Sequence, residues 1–82
     1  MNKDNVRNPE QALAYITDCT LATVAHMAMR KSRPKHEYAR QKAIAQRAIT
    51  WMDNMRIDYK GTRAADVRDA GSVDAWAKQF EA

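Results

Sequence analysis

The chain has 82 residues, a formal net charge of +4 and a hydrophobic share of 45%. Fifteen of the hydrophobic residues are alanine, so only 22 larger apolar side chains are available for a core. That length holds one domain, residues 1–82, and excludes a second core or a large enzyme. The single cysteine, Cys19, forbids an intramolecular disulfide, and no Cys/His cluster has zinc spacing. Small domains with thin cores draw on disulfides, metals or self-association. With the first two unsupported, a homo-oligomer is expected, with no cofactor and no metal. Met1 to Glu10 is polar and no run of about 18 apolar residues occurs, so neither a signal peptide nor a membrane span is read, and a cytoplasmic location is expected.

Glycine occurs only at 61 and 71 and proline only at 9 and 34, which divides the chain into segments. Asn8-Pro9-Glu10-Gln11 reads as a helix start, with Asn8 as N-cap and Pro9 at the first helical position. The first helix is expected over 8–31. Leu13, Ile16, Thr20, Val24 and Met27 recur at helical spacing and form its predicted seam, while Ala14, Leu21, Ala25 and Ala28 form a second, mostly small face. Lys31-Ser32-Arg33-Pro34 is the turn, with Ser32 expected to cap a second helix over 33–56 and Pro34 in its first turn. The apolar set of that helix is Tyr38, Ile44, Ala45, Ala48, Ile49, Trp51, Met52 and Met55. So short a turn makes the pair an antiparallel helical hairpin. Thr62, Gly71 and Ser72 then punctuate a helical tail over 62–82, whose Val73, Trp76, Ala77 and Phe80 give it a face to dock. The fold class is therefore all-α: a helical hairpin plus a short helical tail. Cys19 is expected to be a buried thiol, Met27, Met29, Met52 and Met55 to fill core or interface, and Trp51 and Trp76 to anchor packing.

The charge is uneven. Arg30, Lys31, Arg33, Lys35, Arg40, Lys42 and Arg47 are opposed only by Glu37 within 30–47, whereas the rest of the chain carries seven basic and nine acidic residues. The turn gathers Arg30, Lys31, Arg33, Lys35 and His36 at one end of the hairpin, beside the N-terminus of the second helix, where unpaired N–H groups favour anions. His36, Arg40 and Arg47 fall near one helix face with Ala43 between them, a spacing suited to phosphates. Tyr38 is placed to stack on a base. The competing readings are a solvated basic face and a core tyrosine.

A catalytic protein needs a base, nucleophile or metal held in a pocket. No Gly-rich phosphate loop or triad context is present, so the chain is read as a non-enzyme. The helix-turn-helix spacing of the tail is discounted because Asp74 and Glu81 outnumber Lys78 on the would-be recognition helix, the wrong sign for phosphate.

The segment Arg40-Gln41-Lys42-Ala43-Ile44-Ala45-Gln46-Arg47-Ala48-Ile49-Thr50-Trp51-Met52 resembles the second helix of small phage hairpin proteins. These are the anti-CBASS and anti-Thoeris sponges that sequester cyclic nucleotide signals of bacterial immunity. The likeness covers about half the chain and rests on an Ile-Ala pair in a basic helix, small inter-helix residues and a Met-containing stripe. It implies stoichiometric binding of a small cyclic nucleotide between protomers in the host cytoplasm, without cleavage, with Arg40 and Arg47 on phosphates. Arg33, Lys35, His36 and Tyr38 join them as candidate ligand-binding residues on the charge argument alone. The chain departs from the pattern after Arg56, where the tail begins. The alternative is a phage or regulatory interaction module whose basic hairpin end meets an acidic host-protein surface or nucleic acid.

Overall fold

The computed structural model describes residues 9–82, so the expected Asn8 cap lies outside the described residues. Among the described residues four helices follow in order: α1 (Pro9–Ala28), α2 (Lys35–Asn54), α3 (Arg63–Ala70) and α4 (Val73–Lys78). No strand occurs among the described residues. The helices α1 and α2 form the expected hairpin; α3 and α4 pack on α1, and α4 also reaches α2.

The hairpin turn is longer than the sequence reading had it, because α1 stops at Ala28 and α2 starts at Lys35. Proline explains the late start. Its ring disfavours helical backbone at the preceding Arg33, and Pro34 itself is extended, with φ −68° and ψ 111°. Pro34 therefore occupies the cap position, with no side-chain capping bond, and its carbonyl accepts the Tyr38 N–H at 2.9 Å. Ser32 is not the cap.

The core of α1 is built on its mostly small face. Ala14, Thr17, Leu21, Ala25 and Ala28 are buried together with Val24 and Met27, whereas Ile16 of the predicted seam is 60% exposed. Thr17 belongs to the buried line because its hydroxyl donates to the Leu13 carbonyl at 2.7 Å, which removes the cost of burying it unpaired. The eight-residue stripe of α2 divides likewise into two parallel lines. Tyr38, Ala45, Ile49 and Met52 are buried; Ile44, Trp51 and Met55 are exposed. Trp51, expected as a packing anchor, is 61% exposed, while Trp76 is buried and sits edge-on to Phe80 with ring centroids 5.0 Å apart. Cys19 is exposed rather than buried. Met29 and Met55 are exposed, whereas Met27 and Met52 fill the core.

The tail follows its punctuation. Thr62 accepts from the Ala64 N–H at 3.2 Å to cap α3, Gly71 takes φ +102° to end it, and Ser72 accepts from the Ala75 N–H at 3.1 Å to cap α4. Docking is made by polar bridges around an apolar centre of Val67, Val73, Trp76 and Ala77. Asp18 accepts from the backbone and side chain of Arg63, and Gln46 Oε1 accepts the otherwise orphaned Val73 N–H at 2.8 Å. The tail thus packs on the hairpin of its own chain.

The C-terminus of α2 is a Schellman closure: the Ile57 N–H donates to the Met52 carbonyl at 2.9 Å and the Arg56 N–H to the Asp53 carbonyl at 3.2 Å. Arg56 takes the left-handed position, φ +56°, that favours glycine. Arg56→Gly is therefore expected to stabilise the fold by about 0.5–1 kcal/mol, the relief of the left-handed backbone exceeding the added freedom of the unfolded chain. Thermal unfolding followed by circular dichroism should show a midpoint raised by a few degrees; a lowered midpoint would mean that the Arg56 side chain contributes more than its backbone costs.

Candidate functional site: the basic edge and open side of the hairpin

The six candidate residues separate into two groups. Arg33 and Tyr38 are held by the chain's own tail. Arg33 Nη1 donates to the carbonyls of Ala28 and Arg30 at 3.1 and 2.7 Å, satisfying the end of α1, while its Nη2 lies 3.9 Å from Glu81. The Tyr38 hydroxyl donates to the other Glu81 oxygen at 2.8 Å. Tyr38 as a whole is 6% exposed, with the Arg33 guanidinium 5.2 Å and the Lys42 ammonium 4.3 Å from its ring centroid. Lys42 is in turn paired with Asp74 at 2.7 Å. Three members of the basic segment's constellation thus fasten the tail to the hairpin, and Tyr38 belongs to the core rather than to a stacking platform.

The other four, Lys35, His36, Arg40 and Arg47, are exposed and have no ion-pair partner among the described residues. His36, Arg40 and Arg47 follow one edge of α2 at helical spacing. The backbone N–H groups of the first turn of α2 lie at the same end as Lys35 and His36.

The structure adds residues that the charge argument missed. Lys42 and Gln46 face α4; Ile44 and Ala48 lie two positions further on, hence about 200° round the helix, away from the tail. On α1 the same offset separates Asp18, which faces α3, from Ile16 and Thr20. The hairpin therefore has a side covered by the tail and an open side. On that open side Leu13, Ile44, Arg47, Ala48 and Trp51 line a groove of about 310 Å³. The signal was present in the sequence as a second line, Ile44, Ala48, Trp51 and Met55 at spacings of 4, 3 and 4, parallel to the core line.

A larger cleft of about 670 Å³ lies at the α2–α3 connector, away from the basic edge, and mixes Asp53, Asp58 and Asp69 with Arg56, Lys60 and Arg68. Asp53 already accepts from the Tyr59 hydroxyl, and Asp58 from the Lys60 N–H at 2.9 Å. Its charges largely serve the connector. Among the described residues no three His, Cys, Asp or Glu side chains gather as a metal site, and no helix is long and apolar enough to cross a membrane. No family model matches the chain, and comparison with curated proteins and with solved structures likewise finds no match.

Burial and the Glu81 hydrogen bond push the Tyr38 phenol from 10.0 up to about 12. A raised folded-state value favours the protonated form, so this contribution is whole below pH 10 and is lost as the pH rises through about 12. Tyr38→Phe is expected to cost about 1 kcal/mol at neutral pH, the lost hydrogen bond, and to flatten the decline in stability between pH 10 and 12. Denaturant titrations across that window measure both; an unchanged alkaline decline would assign it to another group.

Proposed function

We propose that the protein sequesters a small anionic nucleotide without turning it over, using the basic edge of α2 and the groove beside it. The carrying observation is that Arg40 and Arg47, two turns apart on one edge, are exposed without partners among the described residues, while Trp51 stands one turn beyond Arg47, 61% exposed at the groove. Guanidinium groups bind phosphate through paired donors, and an exposed indole offers a face to a base. Trp51, and not the buried Tyr38, takes the stacking role. The resemblance to phage hairpin sponges supports a cyclic nucleotide as the ligand class and a counter-defence role in the host cytoplasm.

A second reading is supported by the same groove. Its lining is mostly apolar and rimmed by arginine, the make-up of a protein-interaction patch. Under it, the chain is a small inhibitor or adaptor that docks on an acidic host-protein surface.

Calorimetry against cyclic mono-, di- and trinucleotides and cyclic ADP-ribose variants separates the two. Sequestration predicts near-stoichiometric binding at micromolar concentration or tighter, abolished by the Arg40→Ala, Arg47→Ala double variant and weakened about tenfold or more by Trp51→Ala, the worth of one base stack. No binding by any member of the panel overturns sequestration. Capture of a single host protein, released by salt and by the same double variant, supports the second reading.

A further inference from the structure

We infer that the open side of the hairpin is covered by a second copy of this chain, giving a closed two-fold dimer whose centre is a four-helix bundle. The inference concerns the unliganded protein and does not rest on the nucleotide reading; because both use Trp51, a base stacked there takes the place of the second copy's contact with it. Three observations carry it. The first is charge. Beyond Glu10 in its first turn, α1 holds one acidic or basic residue apart from His26, and that residue, Asp18, is turned to Arg63 on the covered side. The centre of the open side presents Leu13, Ile16 and Thr20 from α1 and Ile44, Ala48 and Trp51 from α2, none charged, with Arg47 lining the groove beside them and Glu37 two turns before Ile44 on the same line. A two-fold contact sets a patch against itself, so an uncharged centre meets no like charge, while Arg40 and Arg47 stay at its hydrated margin.

The second observation is polar satisfaction. The side-chain donors among these six residues are the Trp51 indole N–H and the Thr20 hydroxyl, and the hydroxyl already donates to the Ile16 carbonyl at 3.1 Å, so covering Thr20 leaves it paired. The third is area. Two 20-residue helices side by side present a face of about 30 by 20 Å, hence about 1,200 Å² in total for two copies, which reaches the lower bound of specific interfaces when the end of α2 with Glu37 and Arg40 is counted with the uncharged centre. Because α3 and α4 occupy the other side, the described residues of each chain present one such face, and the assembly closes at two copies instead of stacking into larger rings or fibres.

Sedimentation velocity of the full chain without nucleotide, from about 1 to 100 µM, tests this directly. A species of twice 9.4 kDa is expected, with a blue shift of Trp51 emission as it forms, since Trp76 is already buried. Ile16→Glu is expected to give a monomer of unchanged helical circular dichroism, because Ile16 is exposed in the single chain. Thr50→Glu, an exposed position off the open face, should remain dimeric. A wild-type monomer throughout the range, an assembly larger than two, or an Ile16→Glu variant that stays dimeric would each overturn the inference. A dimer whose calorimetry finds no nucleotide overturns sequestration alone.

Discussion

The end of α1 is the point on which the rest of the molecule depends. A helix C-terminus leaves carbonyls without partners, and here the Ala28 oxygen receives both Arg33 Nη1 at 3.1 Å and the backbone N–H of Ala82 at 3.1 Å. Arg33 is brought there by the proline that follows it, and through Glu81 it is joined to Tyr38 and so to the first turns of α2. The turn, the start of the second helix and the last residues of the chain are thereby fixed by one small cluster. Two of the side chains that looked most suited to ligand recognition, Arg33 and Tyr38, are consumed in making it.

That cluster also decides where the positive charge remains available. Lys42 is spent on Asp74 and lies over Tyr38, which adds to the docking of α4. What is left runs along the outer edge of α2, from Lys35 and His36 through Arg40 to Arg47. The basic segment is neither uniformly a binding site nor uniformly a solvated face: part of it clamps the tail, and part of it borders an apolar groove. The juxtaposition of that edge with Ile44, Ala48 and Trp51 follows from helical spacing once the tail has selected the side of the hairpin it covers.

The tail accounts for the thinness of the core. With few large apolar residues, the hairpin cannot cover both of its sides from its own chain; Val67, Val73, Trp76 and Ala77 suffice for one. The apolar residues of the other side remain exposed, as Ile16, Ile44 and Trp51 show. Alanine is concentrated where helices meet, with Ala28, Ala45, Ala64 and Ala77 fully buried, so the alanine content reflects close helix approach as well as a shortage of bulk.

Local chemistry made much of this legible before any tertiary contact. Thr62, Gly71 and Ser72 announce the ends of the tail helices because capping is settled within four residues of chain. The long breaker-free segments and the turn at Pro34 are enough for an antiparallel hairpin. The same local rules do not say which of two parallel apolar lines faces inward. On α1 the choice fell on the line containing Thr17 and the small residues, since a hydroxyl bonded to its own helix can be buried and alanines permit close packing. On α2 it fell on Tyr38, Ala45, Ile49 and Met52, leaving Trp51 outside. Nor could spacing distinguish an arginine awaiting a phosphate from one paired with a carboxylate 48 residues further along the chain, as Arg33 is with Glu81. Helix identity, ends and charge density lie in near neighbours along the sequence; the inward face of each helix and the free charges depend on residues brought together from distant segments, which only the packed tail decides.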